Sequence, residues 1–401
     1  MKTTIESLDH YGRGICYINN KITFVPFALP EEEVLIKITK ETKKYNEGEV
    51  LEYLTTSKER IPSSCPYFLD CGGCSLFHLE YSKTLEFKKK KVEELLLKNK
   101  IDYKKELKII SNPHNNYYRN KVSLKIMNGN IGYYKKNSHI LVPIKKCLVA
   151  NPTINTVVDN YSYLHLDNAN LTIRVNQNKE VLLIIDTLEE NYSIDLELLK
   201  EKVKLVGIVY NNKSIYGDDF LYERINGFLF KISYNSFFQV NPYICSILFD
   251  MIKENIEPNS RVLDLYSGVG TLGLVASLKA KEVYSVEIIS NAILNGILNA
   301  KINKRDNIKF LLGDVSKTVD KLNKTFDTII VDPPRSGLDK HTISFLLKEL
   351  PKKIIYVSCD PSTLMRDLKQ LESSYKLEDY QILDMFSYSY HLESICILKR
   401  I

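Results

Sequence analysis

The sequence predicts an α/β fold. A doubly wound, mostly parallel sheet of seven strands fills the C-terminal part, behind an N-terminal β-barrel and a central β-rich region. Three observations carry this. From about Asn235 onward, short apolar β-rich runs alternate with helical stretches, the pattern of a parallel sheet covered on both faces. Before that point the runs are short, β-rich and separated by turn residues. One C-terminal run enters a glycine-rich turn and then a helix start.

The 401 residues suffice for two or three domains. With 44% hydrophobic and 26% charged residues the chain is of globular type. No stretch approaches the roughly 18 apolar residues of a membrane helix. Met1 to His10 lacks the apolar core of a signal peptide. The expectation is a cytoplasmic protein, a monomer, with no membrane partner. A net charge of +6 permits a polyanionic partner, and an overall bias toward Lys, Asn, Ile and Tyr explains it equally well. The eight cysteines are unevenly scattered. In a reducing compartment, those that cluster read as metal ligands or catalysts rather than disulfides.

Residues 1–55 read as an oligonucleotide-binding-type barrel. Runs at Gly14–Tyr17, Ile22–Pro26, Glu33–Lys40 and Glu49–Tyr53, with one more strand near the N-terminus, supply its strands. Lys37, Lys40, Lys43, Lys44 and Tyr45 fit phosphate contacts and a stacking ring, and equally a solvated basic strand edge. Residues 56–234 read as a central β-rich domain. It opens on a loop from Cys65 to Cys74 and a helix over 81–100, which is free to pack with the catalytic domain. Lys88 to Lys91 form a basic run on that helix. Strands are expected at Val122–Met127, Ile131–Tyr134, Leu171–Val175 and Val181–Asp186. Residues 235–401 hold the parallel sheet. Its strands are expected at Arg261–Tyr266, Glu282–Glu287, Ile308–Leu312, Thr328–Asp332 and Lys353–Ser358, then a final pair at Leu377–Met385 and Ser394–Lys399.

The glycine turn is Ser267-Gly268-Val269-Gly270-Thr271-Leu272-Gly273. Its glycines let the backbone approach a ligand closely. Glu287 ends the next strand, where its carboxylate can accept both hydroxyls of a ribose. Asp314 follows the third, where it can meet an adenine amino group. A dinucleotide site uses the same glycine pattern with a later acid. Two features favour S-adenosylmethionine. Asp264 precedes the turn and can face the cofactor's amino-acid end. The fourth strand ends in Asp332-Pro333-Pro334-Arg335, a motif type used in methylation of bases. Tyr266, Glu287, Asp314, Asp332 and Cys359 then gather at the carboxyl ends of the strands, where open α/β sheets bind ligands.

Cys359 directly follows the fifth strand, before the helix starters Asp360, Pro361 and Ser362. A helix N-terminus there favours a thiolate. Carbon 5 of uracil is a poor nucleophile until a thiolate attacks carbon 6. A base must later remove the carbon 5 proton, and His391 and Glu393 are the candidates. Cys65, Cys71 and Cys74 form a compact loop with Gly72 and Gly73, and Cys147 is the best fourth thiolate. Four thiolates suit a [4Fe-4S] cluster or zinc; glycines between ligands, whose N–H groups can point at sulfur, slightly favour the cluster. Cys16, Cys245 and Cys396 lie in apolar surroundings and read as core.

With these residues in place, the chain resembles the TRAM-domain, iron–sulfur group of RNA uracil-5-methyltransferases that act on 23S ribosomal RNA. Leu8-Asp9-His10-x-Gly12-Arg13-Gly14 with Phe24-Val25-Pro26 looks like the start of a TRAM domain, an RNA-binding barrel. Tyr118-Arg119-Asn120-Lys121 resembles the opening of the family's central domain, and Phe237-Phe238-Gln239-Val240-Asn241 the entry to its catalytic domain. The resemblance implies a Rossmann-like methyltransferase domain with Gln239, Tyr266, Glu287 and Asp332 contacting S-adenosylmethionine. It implies cluster ligands at Cys65, Cys71, Cys74 and Cys147, a nucleophile at Cys359 and a proton acceptor at Glu393. The stretch Phe386-Ser387-Tyr388-Ser389-Tyr390-His391-Leu392-Glu393 departs from it, since the family usually has a proline and a threonine there. Three readings stand at this point. They are carbon-5 uracil methylation of ribosomal or transfer RNA, methylation of an exocyclic base nitrogen, and a non-catalytic RNA-binding or redox-sensing protein.

Overall fold

The computed structural model describes residues 1–189 and 193–401. Lys2–Thr4, Ser7–Leu8, Gly14–Ile18, Lys21–Val25, Glu33–Glu41 and Asn46–Tyr53 form a six-stranded sheet. Alternation along these strands sends Cys16, Val25, Val34 and Ile36 into a small core with Ile5 and Ala28. Two short strands precede Gly14 where one was expected. Asp9 makes the turn between them and the sheet, accepting from the N–H groups of Tyr11 at 2.9 Å and Arg13 at 2.8 Å.

A seven-stranded sheet follows. Its spatial order is Leu141–Pro143, Asn130–Tyr134, Lys121–Met127, Ala169–Val175, Glu180–Asp186, Lys204–Tyr210 and Lys213–Gly217. Helices Pro152–Asp159 and Leu196–Lys202 share its core through Ile154, Val157 and Leu199. The sequence reading missed both helices. The signal for the first was Pro152 at the opening turn behind Asn151, whose side chain accepts from the Thr153 N–H at 2.9 Å. A hairpin, Phe220–Ile225 and Phe228–Ser233, bridges two cores. Leu221 packs on the central sheet with Leu182 and Val209, while Phe228 and Phe230 pack with Phe249 of helix Pro242–Asn255.

The C-terminal sheet has eight strands rather than seven. Their order is Ile308–Leu312, Glu282–Glu287, Arg261–Leu265, Thr328–Val331, Lys353–Ser358, Glu393–Arg400, Tyr375–Leu383 and Lys108–Ile110. The first five are parallel, Glu393–Arg400 is antiparallel to both its neighbours, and Lys108–Ile110 is parallel to Tyr375–Leu383. The eighth strand escaped notice because three residues carry too little alternation to read.

Helix Tyr81–Lys98 packs on this sheet. Val92, Leu95 and Leu96 join one core with Tyr356, Leu364 and Tyr380. Lys88 and Lys91 lie on the same buried face. Lys88 is fully buried against a fully buried Asp384. It also donates to the Phe386 carbonyl at 2.9 Å, and Asp384 accepts from the hydroxyls of Tyr81 and Ser387, both at 2.6 Å. No described helix is long and apolar enough to cross a membrane.

Replacing Lys88 by Ala leaves Asp384 buried without its cation. The expected loss is about 3–5 kcal/mol, read as a lower urea midpoint of unfolding. A loss below about 1 kcal/mol, the range of an exposed pair, would contradict this.

Candidate active site

The parallel strands end on one edge, and each end carries a polar residue of the candidate site. Strand Arg261–Leu265 stops one residue earlier than expected, because Tyr266 turns into left-handed backbone at φ 62°. Its hydroxyl meets the side chains of Asp339 at 3.3 Å and Thr342 at 3.2 Å. Gly268 follows at φ 54°, and a Cβ there would face open space. Gly273 is needed for another reason. A Cβ there would stand 2.4 Å from the Ser285 hydroxyl and 2.8 Å from the Asp264 carboxylate, so only glycine lets the helix sit on the strand.

Glu287 is buried, and its two oxygens accept from the Gly268 and Ile289 N–H groups, each at 2.9 Å. Those bonds aim the carboxylate and leave each oxygen a further lone pair. Asp314 caps a short helix, accepting from the Ser316 N–H at 2.9 Å. Asp264 was expected to face the cofactor. One of its oxygens instead takes the Gly273 N–H at 2.9 Å and the Ser285 hydroxyl at 3.2 Å, and burial pushes its carboxyl up to about 8. The second oxygen, and the Ser267 hydroxyl, are buried without partners among the described residues. An open glycine, an aimed carboxylate and two unsatisfied polar atoms fit a polar ligand of the S-adenosylmethionine kind. Gln239 is half-buried and held from behind, with its carbonyl 3.5 Å from the Asn120 amide.

Cys359 sits at the end of strand Lys353–Ser358. Helix Pro361–Leu371 begins just after it, yet does not lower the thiol as expected. Its first N–H groups, Ser362 at 2.9 Å and Thr363 at 3.0 Å, are taken by the Asp360 side chain. Burial, with Glu393 and Asp332 nearby, pushes Cys359 up to about 11, and the Arg335 guanidinium pulls the other way. Glu393 is 2% exposed. Burial and the Asp332 charge hold it well above the carboxylate range, again against Arg335. Burial raises Asp332 itself to about 7. Sequence reasoning passed over Arg335, which showed there only as the fourth residue of Asp-Pro-Pro-Arg.

His391, the other candidate base, lies among cations. Burial and the charges of Arg335, Lys91, Lys88 and Arg119 push it down to about 3. It stays neutral, with Nδ1 3.5 Å from Arg335.

Cys65, Cys71, Cys74 and Cys147 line one cavity of about 60 Å³, together with Phe77 and Arg119. The Gly73 N–H points at the Cys71 sulfur at 3.4 Å. Asn155 brackets Cys147, accepting from its N–H at 2.7 Å and donating to its carbonyl at 3.1 Å. Among the described residues, no group of three or more His, Cys, Asp or Glu side chains is placed to hold a metal ion. Cys16, Cys245 and Cys396 are core residues.

Two grooves meet beside His391. One, of about 620 Å³, runs along Gly72–Ser75 and Ser389–His391; the other, of about 570 Å³, lies against Tyr11, Arg13 and Phe24 of the first sheet. They share Lys135, Lys136, Asn137 and Tyr390. A further cavity, of about 1070 Å³, is lined by Lys179, Arg224 and Tyr243 and by none of the candidate site residues.

Residues 80–401 match the family described as tRNA (Uracil-5-)-methyltransferase, and residues 2–51 match the TRAM domain. An uncharacterized RNA methyltransferase of Clostridium tetani is 34% identical, over 98% of this chain and 95% of its own length. Another from Caldanaerobacter subterraneus subsp. tengcongensis is 36% identical, over 99% of this chain and 97% of its own. Among solved structures, the Pyrococcus abyssi tRNA (uracil-54, C5)-methyltransferase in complex with S-adenosyl-L-homocysteine superposes with a TM-score of 0.82. It is 26% identical and covers 99% of this chain and 100% of its own. The exocyclic-nitrogen and non-catalytic readings fall with these matches. The chain belongs to the tRNA (uracil-5-)-methyltransferase family, and is an S-adenosylmethionine-dependent RNA uracil-5-methyltransferase with an N-terminal TRAM domain.

Proposed function

We propose that this enzyme methylates carbon 5 of a specific uridine in 23S ribosomal RNA by covalent catalysis, with Cys359 as nucleophile and Glu393 as proton acceptor. One observation carries the chemistry. A thiol, a cation and two carboxyls (Cys359, Arg335, Asp332 and Glu393) act on one another at the edge where the cofactor strands end. The ribosomal target rests on the four-cysteine resemblance. The tRNA target is the second reading, favoured by the likeness to the Pyrococcus abyssi enzyme.

In this reading, residues 1–55 and 56–234 hold RNA along the grooves at Arg13, Lys135 and Lys136. Residues 235–401, joined by helix Tyr81–Lys98 and strand Lys108–Ile110, perform the reaction. Gln239, Tyr266, Gly268, Glu287, Asp314 and Asp332 hold S-adenosylmethionine, which supplies the methyl group. The Cys359 sulfur bonds to carbon 6, and the C5=C6 pair becomes the nucleophile at carbon 5. After methylation Glu393 takes the carbon 5 proton. The C5–H pair restores the C5=C6 bond, and the C6–S bond breaks with its electrons returning to Cys359. The raised proton affinity of Glu393 suits it to this step, and the low affinity of His391 does not.

The four thiols lining one cavity support a metal centre. Four thiolates suit a [4Fe-4S] cluster or zinc, and the Gly73 N–H aimed at the Cys71 sulfur favours the cluster. It would serve as a structural pin, because methyl transfer moves no net electron.

Mapping 5-methyluridine in ribosomal and transfer RNA, with and without this protein, tests the target. Loss from 23S RNA is expected; loss from tRNA alone overturns the ribosomal reading. Cys359→Ala should fail to restore the mark, and Glu393→Gln should trap an adduct that survives denaturation.

The acid–base assignment makes a separate prediction. Reactivity requires deprotonated Cys359, and its raised pKa means the thiolate fraction grows about tenfold per pH unit well below about 11. Log kcat/KM should therefore climb from about pH 7 to 9. Arg335→Gln removes the lowering cation and should shift the rise toward alkali. An acid shift would contradict the role.

Anaerobically purified protein should be brown, with about four irons and four sulfides per chain, and Cys147→Ser should bleach it. Colourless protein with one zinc would decide for the ion.

A further inference from the structure

The residues just after the third loop cysteine reach into the catalytic loop. The backbone N–H groups of Ser75 and Leu76 both donate to the Tyr388 carbonyl at 3.0 Å. The Ser75 hydroxyl accepts from the Tyr390 N–H, also at 3.0 Å. Phe77 stacks on Tyr388 with ring centroids 4.0 Å apart and planes 12° apart. Tyr388 shares a small core with Phe68, Tyr118, Cys65, Cys74 and Cys147. Its backbone is left-handed, at φ 59°. A tyrosine holds that conformation only when its surroundings enforce it.

The loop has other anchors, and they act elsewhere. Lys88 holds the Phe386 carbonyl, while Asn112 and Tyr118 hold Ser387. All three lie before Tyr388. Between Tyr388 and Glu393 the loop is tied to other parts of the chain by Ser75 and Leu76, by Lys91, which donates to the Tyr390 carbonyl at 3.2 Å, by the Tyr11 ring against Tyr390 and by Arg335, 3.5 Å from His391, before Glu393 opens a strand opposite Leu383.

We infer that Ser75 is a positioning residue for Glu393, one that acts on proton removal from carbon 5 rather than on capture of RNA. This rests on the reading of Glu393 as the proton acceptor. Through the Tyr390 N–H, Ser75 holds the last turn before Glu393. Proton transfer needs hydrogen-bond reach. A loop that relaxes by about 1 Å forfeits much of the rate, by up to about 100-fold. Attack at carbon 6 and methyl transfer do not need Glu393. A slackened loop therefore leaves the methylated, sulfur-bound ring waiting with its carbon 5 proton in place.

The test compares Ser75→Ala, Ser75→Thr and Glu393→Gln in the full chain with its metal centre, on one uridine-containing RNA. In Ser75→Ala, kcat should fall about tenfold, the size of one lost hydrogen bond. KM for RNA should stay within about twofold, and a denaturation-stable adduct should accumulate as it does in Glu393→Gln. The threonine variant keeps the hydroxyl and should restore both. An adduct in Glu393→Gln but none in Ser75→Ala overturns this inference alone. A loss confined to KM does the same. No adduct in either variant overturns the Glu393 assignment and this inference together.

Discussion

Lys88 and Asp384 meet where no water reaches either of them. Burying two charges costs several kcal/mol apiece unless each finds further partners. Here both do. Asp384 takes the hydroxyls of Tyr81 and Ser387, and Lys88 reaches the Phe386 carbonyl. Burial lowers the lysine's proton affinity and the aspartate opposes that fall. The pair fastens helix Tyr81–Lys98 to the turn that follows strand Tyr375–Leu383. That turn leads through Tyr388 to Glu393, so the placement of the proposed proton acceptor depends on a helix nearly 300 residues earlier in the chain.

The same low-polarity setting explains the chemistry. Asp332, Glu393 and Cys359 crowd together, and each prefers to keep its proton because burial penalises its charge. Arg335 opposes this for both Cys359 and Glu393. In the proposed mechanism, proton affinities raised in this way suit Glu393 to the last step and leave Cys359 mostly thiol in the free enzyme. His391, among cations, is driven the opposite way. Two neighbouring candidate bases are thus separated by the sign of the field around them.

Much of the site was legible because it is local. The Gly268–Gly273 turn, Asp332-Pro333-Pro334-Arg335 and Cys359 before Asp360-Pro361 each announce a strand end through a few adjacent residues. Cys147 was paired with the Cys65–Cys74 loop by counting thiolates, and the fold lines one cavity with all four. The failures were not local. The run Lys88–Lys91 read only as a basic run, although helical spacing aligns Lys88 and Lys91 with Thr84, Val92 and Leu95 on the buried face. Charge type concealed what periodicity stated. The expected helix-dipole effect on Cys359 ignored that Asp360 consumes the same N–H groups.

By itself, the sequence determined the α/β class of the C-terminal part, the glycine turn, the strand end that carries Cys359 and the four-cysteine set. Those depend on short-range backbone geometry and on residue chemistry. Only the tertiary structure decided that Arg335 acts on both Cys359 and Glu393, that burial and cations lower the proton affinity of His391, and that Ser75 bonds to Tyr390. Each of these turns on burial or on contacts between residues tens to hundreds of positions apart. A proton affinity or a loop position belongs to the field and contacts of the assembled fold, and no short stretch of chain contains them.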